Sequence, residues 1–473
     1  MLKHSKYRFR ILRQVVNAKK YYTQHKVLNN LSEKEKLAAL ISFFMLFFIL
    51  LVWVLWSKDK KYNVWELVPD DAVLVFESPA ILDTWDKVEQ SSSLQKVSEI
   101  PYFSAIQNRF KNLLALDSDS LLIKKYLQSK TLVTSLHLTG REDWDYLFYV
   151  PIPTKKEVSF SKMIAKIVQK EGLEEGTRIY KEQTLYQLAD SKSQKVVFQY
   201  IFYKNYFIGS YSPFLVEDVV RKIVSGEGVA FFEKSNQLLD LVKIDQDDAN
   251  IYVNFENISA FLKVFIDDKY AKNLEGLSDW ASTAMLDFFL SESQIKWHGY
   301  SLFENQKNGH EFLQYFINLP TSKLTDLQEL IPLQTAVLYR QSFADGDGFY
   351  TAQKKYWQAT QSNLIIFQDS LADKYGFESR EFFALIQEEL ALAILETSPQ
   401  VSAEKLLFFK LNDAKKMQDL LFDLSQNTRQ NPEDKIEEAY QDWTINRLNI
   451  NNFPQKLLGN AFAGFPQSFF TLI

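Results

Sequence analysis

Twenty consecutive residues, Leu37 to Trp56, carry no charge and read LAALISFFMLFFILLVWVLW. As a helix rising about 1.5 Å per residue, the run spans roughly 30 Å, one hydrocarbon thickness. Fourteen of its residues are Leu, Ile, Phe or Val. On an insertion scale each contributes about −0.3 to −0.6 kcal/mol, roughly −4 to −8 kcal/mol in total. A core helix of a soluble domain shows a polar stripe, and this run has none. A cleaved signal has an apolar stretch of about 7–15 residues and small residues at its cleavage site. This run is longer and leads into Trp56-Ser57-Lys58-Asp59-Lys60. Ser32 and Glu35 have capping-box spacing ahead of it, and Trp53 and Trp56 stand at its far end, where interfacial rings belong. The sequence predicts one retained transmembrane helix over 37–56, with the lipid bilayer as its partner.

The flanks orient that helix. Residues 1–36 hold ten Lys or Arg and two acids, Glu33 and Glu35. The larger basic excess belongs in the cytoplasm, so everything after Trp56 is expected to be exported. The chain after residue 36 has 44 basic residues against 57 acidic ones, a net −13 that the overall −5 conceals. Beside a membrane, the basic tail is expected to attract anionic lipid head groups, by roughly 1 kcal/mol per Lys or Arg. Ile11, Val15, Val16 and Tyr22 recur at near-helical spacing, which points to an interfacial helix in the tail. No aromatic-studded basic platform follows, so a nucleic-acid partner is not expected. The absence of cysteine excludes cysteine nucleophiles, thiolate metal sites and iron–sulfur clusters. An acidic, cysteine-free exported part suits a bacterial periplasm, with the anchor in the inner membrane. The sequon Asn257-Ile258-Ser259 is a chance match in a chain of this length.

The expected class is α+β: a single transmembrane helix, then a duplicated α+β unit with antiparallel sheets and packed helices. Aromatic residues at 15% favour strands and packed cores. The divisions are a cytoplasmic tail 1–36, the membrane helix 37–56, a spacer 57–66, a first unit 67–320 and a second unit 321–473. Strands are expected near 72–77, 131–138, 145–152, 196–203 and 206–210, with a hairpin turn at Lys204-Asn205. Helices are expected from Ile81 to Leu127 with a break at Pro101, from Ser159 to Lys170, and after the Ser212-Pro213 cap. A β-meander is expected from about Thr283 to Asn318.

The pattern recurs. Asp247-Asp248-Ala249 through Glu256 echoes Asp70-Asp71-Ala72 through Glu77, and Glu329-Leu330-Ile331-Pro332 echoes Glu66-Leu67-Val68-Pro69. Tyr180 and Tyr440 are offset by 260, and the two prolines by 263. In this frame Ser468 to Ile473 falls where Val196 to Ile201 stands. The second unit is therefore expected to lack a partner strand and closing helix, and residue 473 need not be the natural end.

Chemistry-bearing motifs are few, and no catalytic, cofactor-binding or metal-binding residue is assigned. The histidines His4, His25, His137, His298 and His310 have no metal-ligand spacing. His137 sits in an alternating strand and reads as a hydrogen-bonded structural histidine. Ser159-Phe160-Ser161-Lys162 and Ser402-Ala403-Glu404-Lys405 have the Ser-x-x-Lys spacing of acyl-transfer sites but lack companion elements. Asp345-Gly346-Asp347-Gly348 would need a carboxylate at position twelve to hold calcium. Tyr356 stands there, so a solvated turn is expected. Asp70-Asp71 and Asp247-Asp248 read as turn acids.

Val68-Pro69-Asp70-Asp71-Ala72-Val73-Leu74-Val75-Phe76-Glu77, behind a basic tail and one anchor, resembles the opening strand of a family of uncharacterised bacterial single-pass envelope proteins, a domain of unknown function. The resemblance covers the exported 400 or so residues loosely. It implies location and architecture and brings no catalytic residues. In the second copy Leu333-Gln334-Thr335 replace the acids. The expected role is a membrane-anchored periplasmic scaffold or binding module with envelope protein partners and no cofactor. The alternatives are an exported hydrolase with an unrecognised site, or a carrier of an apolar or lipid ligand.

Overall fold

The computed structural model describes residues 63 to 472, excluding most of 98–126 and 226–246, the stretches 266–271, 304–310, 397–403 and 466–467, and positions 129, 142, 325, 434 and 442. The expected tail, membrane helix and all but the end of the spacer lie outside the described residues. Among the described residues no helix is long and apolar enough to cross a membrane.

The first half runs β1 (Leu74–Ser78), α1 (Ile81–Gln90), α2 (Ser92–Val97), β2 (Leu132–Leu138), β3 (Trp144–Pro151), α3 (Thr154–Lys170), β4 (Leu173–Tyr180), β5 (Gln183–Asp190), β6 (Val196–Tyr203), β7 (Tyr206–Ser210), α4 (Pro213–Ser225), β8 (Ala249–Asn254), α5 (Phe255–Lys263), β9 (Thr283–Leu290) and β10 (Ile295–Leu302). All ten strands form one antiparallel sheet in the order β10-β9-β8-β1-β2-β3-β7-β6-β5-β4. The two echoing strands, β1 and β8, are neighbours within it, fourth and third from the β10 edge. The β6–β7 turn holds Lys204 and Asn205 at φ 45° and 68°, and the β4–β5 turn holds Lys181 and Glu182 at φ 46° and 65°. Positive φ at both central residues matches the right-handed twist of a two-residue hairpin.

Both faces of the sheet are covered over its middle strands, while the edge strands β10 and β4 are largely exposed. One face carries Val75, Val133, Leu147, Tyr149, Leu185, Ile201 and Ile208, packed under residues 64–68 and the apolar side of α4. The other carries Val150, Leu188, Tyr200 and Phe207 under Phe160, Met163, Ile164 and Val168 of α3.

The second half runs α6 (Phe312–Phe316), β11 (Thr335–Phe343), α7 (Gly346–Ala359), α8 (Leu364–Tyr375), α9 (Ser379–Ala384), β12 (Ile386–Leu395), β13 (Lys405–Leu411), α10 (Ala414–Asn427), β14 (Glu437–Tyr440), β15 (Trp443–Asn449), α11 (Phe453–Leu458) and β16 (Ser468–Leu472). It holds two separate three-stranded sheets, β11-β12-β13 and β14-β15-β16. Helices α7 to α11 bury one side of them around Phe349, Phe383, Leu392, Leu421, Leu448 and Leu457. Gly346 opens α7 where an added Cβ would lie 1.9 Å from the Phe383 carbonyl oxygen, so only glycine fits this approach.

The two halves share an order of elements and pairings. In the first, β1-β2-β3 and β4-β5-β6 are joined by β7, which pairs with both β3 and β6. In the second, β11-β12-β13 and β14-β15-β16 have the same internal pairing, and among the described residues no strand lies between β13 and β16. Registers match row by row. Val75-Ser135-Leu147 answers to Leu338-Ala393-Leu406, and Glu77-Val133-Tyr149 answers to Arg340-Ala391-Phe408.

Two expectations shift. The meander over 283–318 is the β9–β10 hairpin followed by a short helix, α6. The β4–β5 hairpin went unread because β4 is an edge strand with Glu174 to Thr177 exposed, so it has no buried face to leave an apolar alternation.

Candidate functional site

Alternation along β2 puts Ser135 and His137, two residues apart, on one face of the sheet. Asp71 arrives from the turn before β1, and Tyr149 from β3, one row away from Ser135. Together they form a chain. His137 Nδ1 lies 3.0 Å from Asp71 Oδ1, and its Nε2 lies 2.7 Å from Ser135 Oγ. Ser135 Oγ reaches Tyr149 Oη at 3.4 Å, and Tyr149 Oη reaches the Leu67 carbonyl at 3.4 Å. With both imidazole nitrogens protonated, every donor runs one way: Nδ1 to Asp71, Nε2 to Ser135, Ser135 to Tyr149, Tyr149 to Leu67. With Nδ1 alone protonated, the Ser135 hydroxyl must turn back to Nε2.

The chain starts at solvent and ends in the core. Asp71 is 53% exposed, whereas His137 and Ser135 are fully buried. Burial pushes the Asp71 carboxyl up. The His137 hydrogen bond and charge, its own backbone N–H and Lys222 outweigh that and leave it below the ordinary carboxylate range. Burial pushes the Tyr149 phenol up, so it stays a neutral donor.

The same cluster seats the segment that enters the fold. Val64–Glu66, the end of the expected spacer, form a 3-10 turn capped by Asn63, and Trp65 is buried. Its ring lies 4.5 Å from Tyr252 and 6.2 Å from Phe231. The Val68 carbonyl accepts from the Phe231 N–H and from Lys222 Nζ, both at 3.2 Å. Asn254 Nδ2 donates to the Asp70 carbonyl at 3.2 Å and Asn257 Nδ2 to the Asp71 carbonyl at 3.1 Å. Residues 64–72 are thus held by α4, β2, β3 and the start of α5.

The Asp-His-Ser order is that of a hydrolytic triad, in which a base activates a hydroxyl that must reach a substrate carbonyl. Here the hydroxyl lies between His137 and Tyr149 on a residue with no exposed surface. What this arrangement does chemically is fix a turn.

The other motifs are spread apart. Ser159 and Lys162 lie on the exposed side of α3, where Ser159 Oγ donates to the Lys156 carbonyl at 2.9 Å. Ser402 lies outside the described residues, and Lys405 donates to the Ala463 carbonyl. Asp345 caps α7, accepting from the Gly348 N–H at 2.6 Å, and Asp347 pairs with Arg380 at 2.6 and 3.0 Å. The expected solvated turn is therefore the first turn of a helix. Asp248 accepts from the Leu290 N–H at 2.8 Å and pairs with Lys87. His298 is exposed on edge strand β10, and His310 lies outside the described residues. The sequence reading found His137 and missed Ser135 and Tyr149. The available signal was Ser-x-His on an alternating strand, which puts both side chains on one face.

The chain matches no protein-family model and no curated protein. Among solved structures, crystal form I of TP0453 is similar at 10% identity, covering 56% of this chain and 90% of that one with a TM-score of 0.28. A similarity at that level bears on neither fold nor function.

Proposed function

We propose that the protein is a single-pass, membrane-anchored scaffold or binding module of a bacterial cell envelope, its bulk periplasmic and built from a diverged duplication of one α+β unit. The observation that carries the binding role is the contrast between the halves. Over its middle strands the first half covers both faces of its sheet, while in the second β13 and β16, the counterparts of β3 and β6, each have one partner strand and an exposed apolar row lies beside them, among the described residues. Exposed edges and apolar rows are the surfaces by which such domains take up partners. The clamp on residues 64–72 supports the anchoring role, because it ties the segment next to the apolar run firmly into the folded body. The buried position of Ser135 weighs against the hydrolase. Rings packed against one another, Tyr186 stacked on Tyr200 at 4.9 Å and Phe160 edge-on to Phe207 at 5.2 Å, weigh against a carrier cavity there.

The cysteine-free chain makes a clean test. A single Leu333→Cys should react with an impermeant maleimide from the periplasmic side, and a single Ser5→Cys only after lysis. The full chain, cross-linked in its membrane and purified, should carry a stoichiometric envelope protein. The reverse labelling pattern overturns the topology. Recovery of the chain alone, with a fluorophosphonate bound at Ser135, overturns the scaffold in favour of the hydrolase.

A further inference from the structure

We infer that β11 is a self-association edge. Two copies of this chain pair their β11 strands antiparallel about a two-fold axis at Leu338, so that Leu338 meets Leu338 of the second copy and Val337 meets its Tyr339. This rests on the repeat proposed above and not on the envelope role.

The fold uses one motif three times. β1, β8 and β11 each lead into a helix (α1, α5 and α7) and then into an antiparallel hairpin, β2–β3, β9–β10 or β12–β13, whose first strand pairs back on the opening strand. In the first half the two opening strands pair with each other. That pairing is symmetric in the terms of the echo. Asp70-Asp71-Ala72 and Asp247-Asp248-Ala249 are offset by 177 (247 minus 70), so Tyr252 is the counterpart of Val75, and these two residues face each other. Leu74 pairs with Val253, the counterpart of Phe76, and Phe76 pairs with Ile251, the counterpart of Leu74. An opening strand of this motif therefore meets its like, with the Val75 position on the local axis.

Among the described residues β11 pairs with β12 alone. β12 answers to β2, so the side of β11 that corresponds to the β8 side of β1 is open. Val75 and Tyr252 have no exposed surface, whereas Leu338, offset from Val75 by the same 263 as the two prolines, is 41% exposed. Val337 and Tyr339, on the opposite face, are 54% and 37% exposed. A missing covering layer would bare one face. A missing lateral strand bares both, because side chains about 4.5–5.5 Å away across a strand pair shield each face.

The chemistry of the edge selects its like. The first-half sheet guards its edges with charge: Lys296 on β10, and Glu174, Glu175 and Arg178 on β4. From Thr335 to Tyr339 β11 has no charge and no proline. With Leu338 on the axis, Val337 lies opposite an aromatic ring, a favourable cross-strand pair, and Arg340 lies opposite Ala336, so the two guanidinium groups do not oppose each other. The symmetric span is Ala336 to Arg340. The bulge between Thr335 and Val337 lies at one end of it, and the contacts of Pro320 and Ser322 with Ala344 and Phe343 lie beyond the other.

The test uses the full chain in detergent, which should sediment as a dimer. The chain has no cysteine, so Leu338→Cys supplies a single thiol. Mild oxidation should join two copies through it, since directly opposite residues put their Cα atoms about 4.5–5.5 Å apart, within disulfide range. Leu406→Cys is similarly exposed but lies five strand spacings, roughly 24 Å, from its copy and should stay unjoined. Leu338→Lys and Leu338→Glu should each raise the dimer dissociation constant roughly tenfold or more by opposing like charges, and mixing the two should restore a dimer. Restoration on mixing also shows that each variant stays folded. A monomeric chain, or a dimer that Leu338→Cys fails to join, overturns the inference. A different envelope protein that Leu338→Glu displaces also overturns it, because the occupant is then a separate chain. If the pairing fails while cross-linking still recovers an envelope protein, only this interface falls and the scaffold reading stands.

Discussion

Two halves of one chain share their order of strand pairings over six strands and reach different ends. In the first, the β7–α4 segment welds two three-stranded sets into a sheet and covers one side of it. In the second, the two sets stay apart and the matching side is partly bare. One strand and one helix therefore decide whether six strands close into a core or keep edges. The segment carrying Leu67 and Val68 follows the same division. Both are buried, whereas of their counterparts Leu330 is 71% exposed and Ile331 is partly exposed.

The sharpest break in this comparison would come from paired truncations. Leu185→Ala removes a side chain with no exposed surface and should destabilise by about 3–4 kcal/mol. Ile445→Ala removes its partly exposed counterpart and should cost below about 1 kcal/mol. Urea unfolding monitored by tryptophan fluorescence reads both. Equal losses would mean that the second face is covered as well as the first, and the contrast would fail.

Next in size is the clamp. Its two hydroxyls have no polar echo: Ala393 stands where Ser135 does, and Phe408 where Tyr149 does. His137→Ala should cost about 3 kcal/mol, since it opens a cavity and leaves the buried Ser135 hydroxyl short of a partner. Limited proteolysis should then cut near residues 64–72 before any site in the second half. Cleavage that begins in the second half would show that the clamp does not hold the entry segment.

A smaller effect is expected from acid. The Asp71 carboxyl is lowered in the folded protein, so the unfolded chain binds more protons across that window. Its contribution is complete above the ordinary value of 3.8 and is lost as pH falls through the lower folded value. Half exposure keeps the effect near 1 kcal/mol or less. Asp71→Asn should flatten the stability curve below about pH 4 and change little at pH 7. An unchanged acid limb would remove Asp71 from the clamp.

Much of this contrast was legible in the residues. The period-two runs at 131–138, 145–152, 196–203 and 206–210 became strands with the expected hairpins, because each buries one or both faces. The echoes at Pro69 and Pro332 and at Tyr180 and Tyr440 led to matched registers. The β4–β5 hairpin was not legible, since an exposed edge leaves no alternation to read. Nor was the clamp. Asp71, His137 and Tyr149 lie 66 and 12 residues apart and meet only through strand pairing, which composition does not encode.

The smallest expected effect tests the comparison most sharply. Leu147 and Leu406 occupy the same register position, beside Ser135 and Ala393. A charge at the first would be buried without a partner and should unfold the first half. Leu406→Glu puts the same charge on a row that meets water, and should change stability by no more than about 0.5 kcal/mol. Chemical denaturation of the two variants side by side gives the difference directly. A loss of several kcal/mol at Leu406 would mean that residues beyond those described already cover the row. The second half would then be as closed as the first.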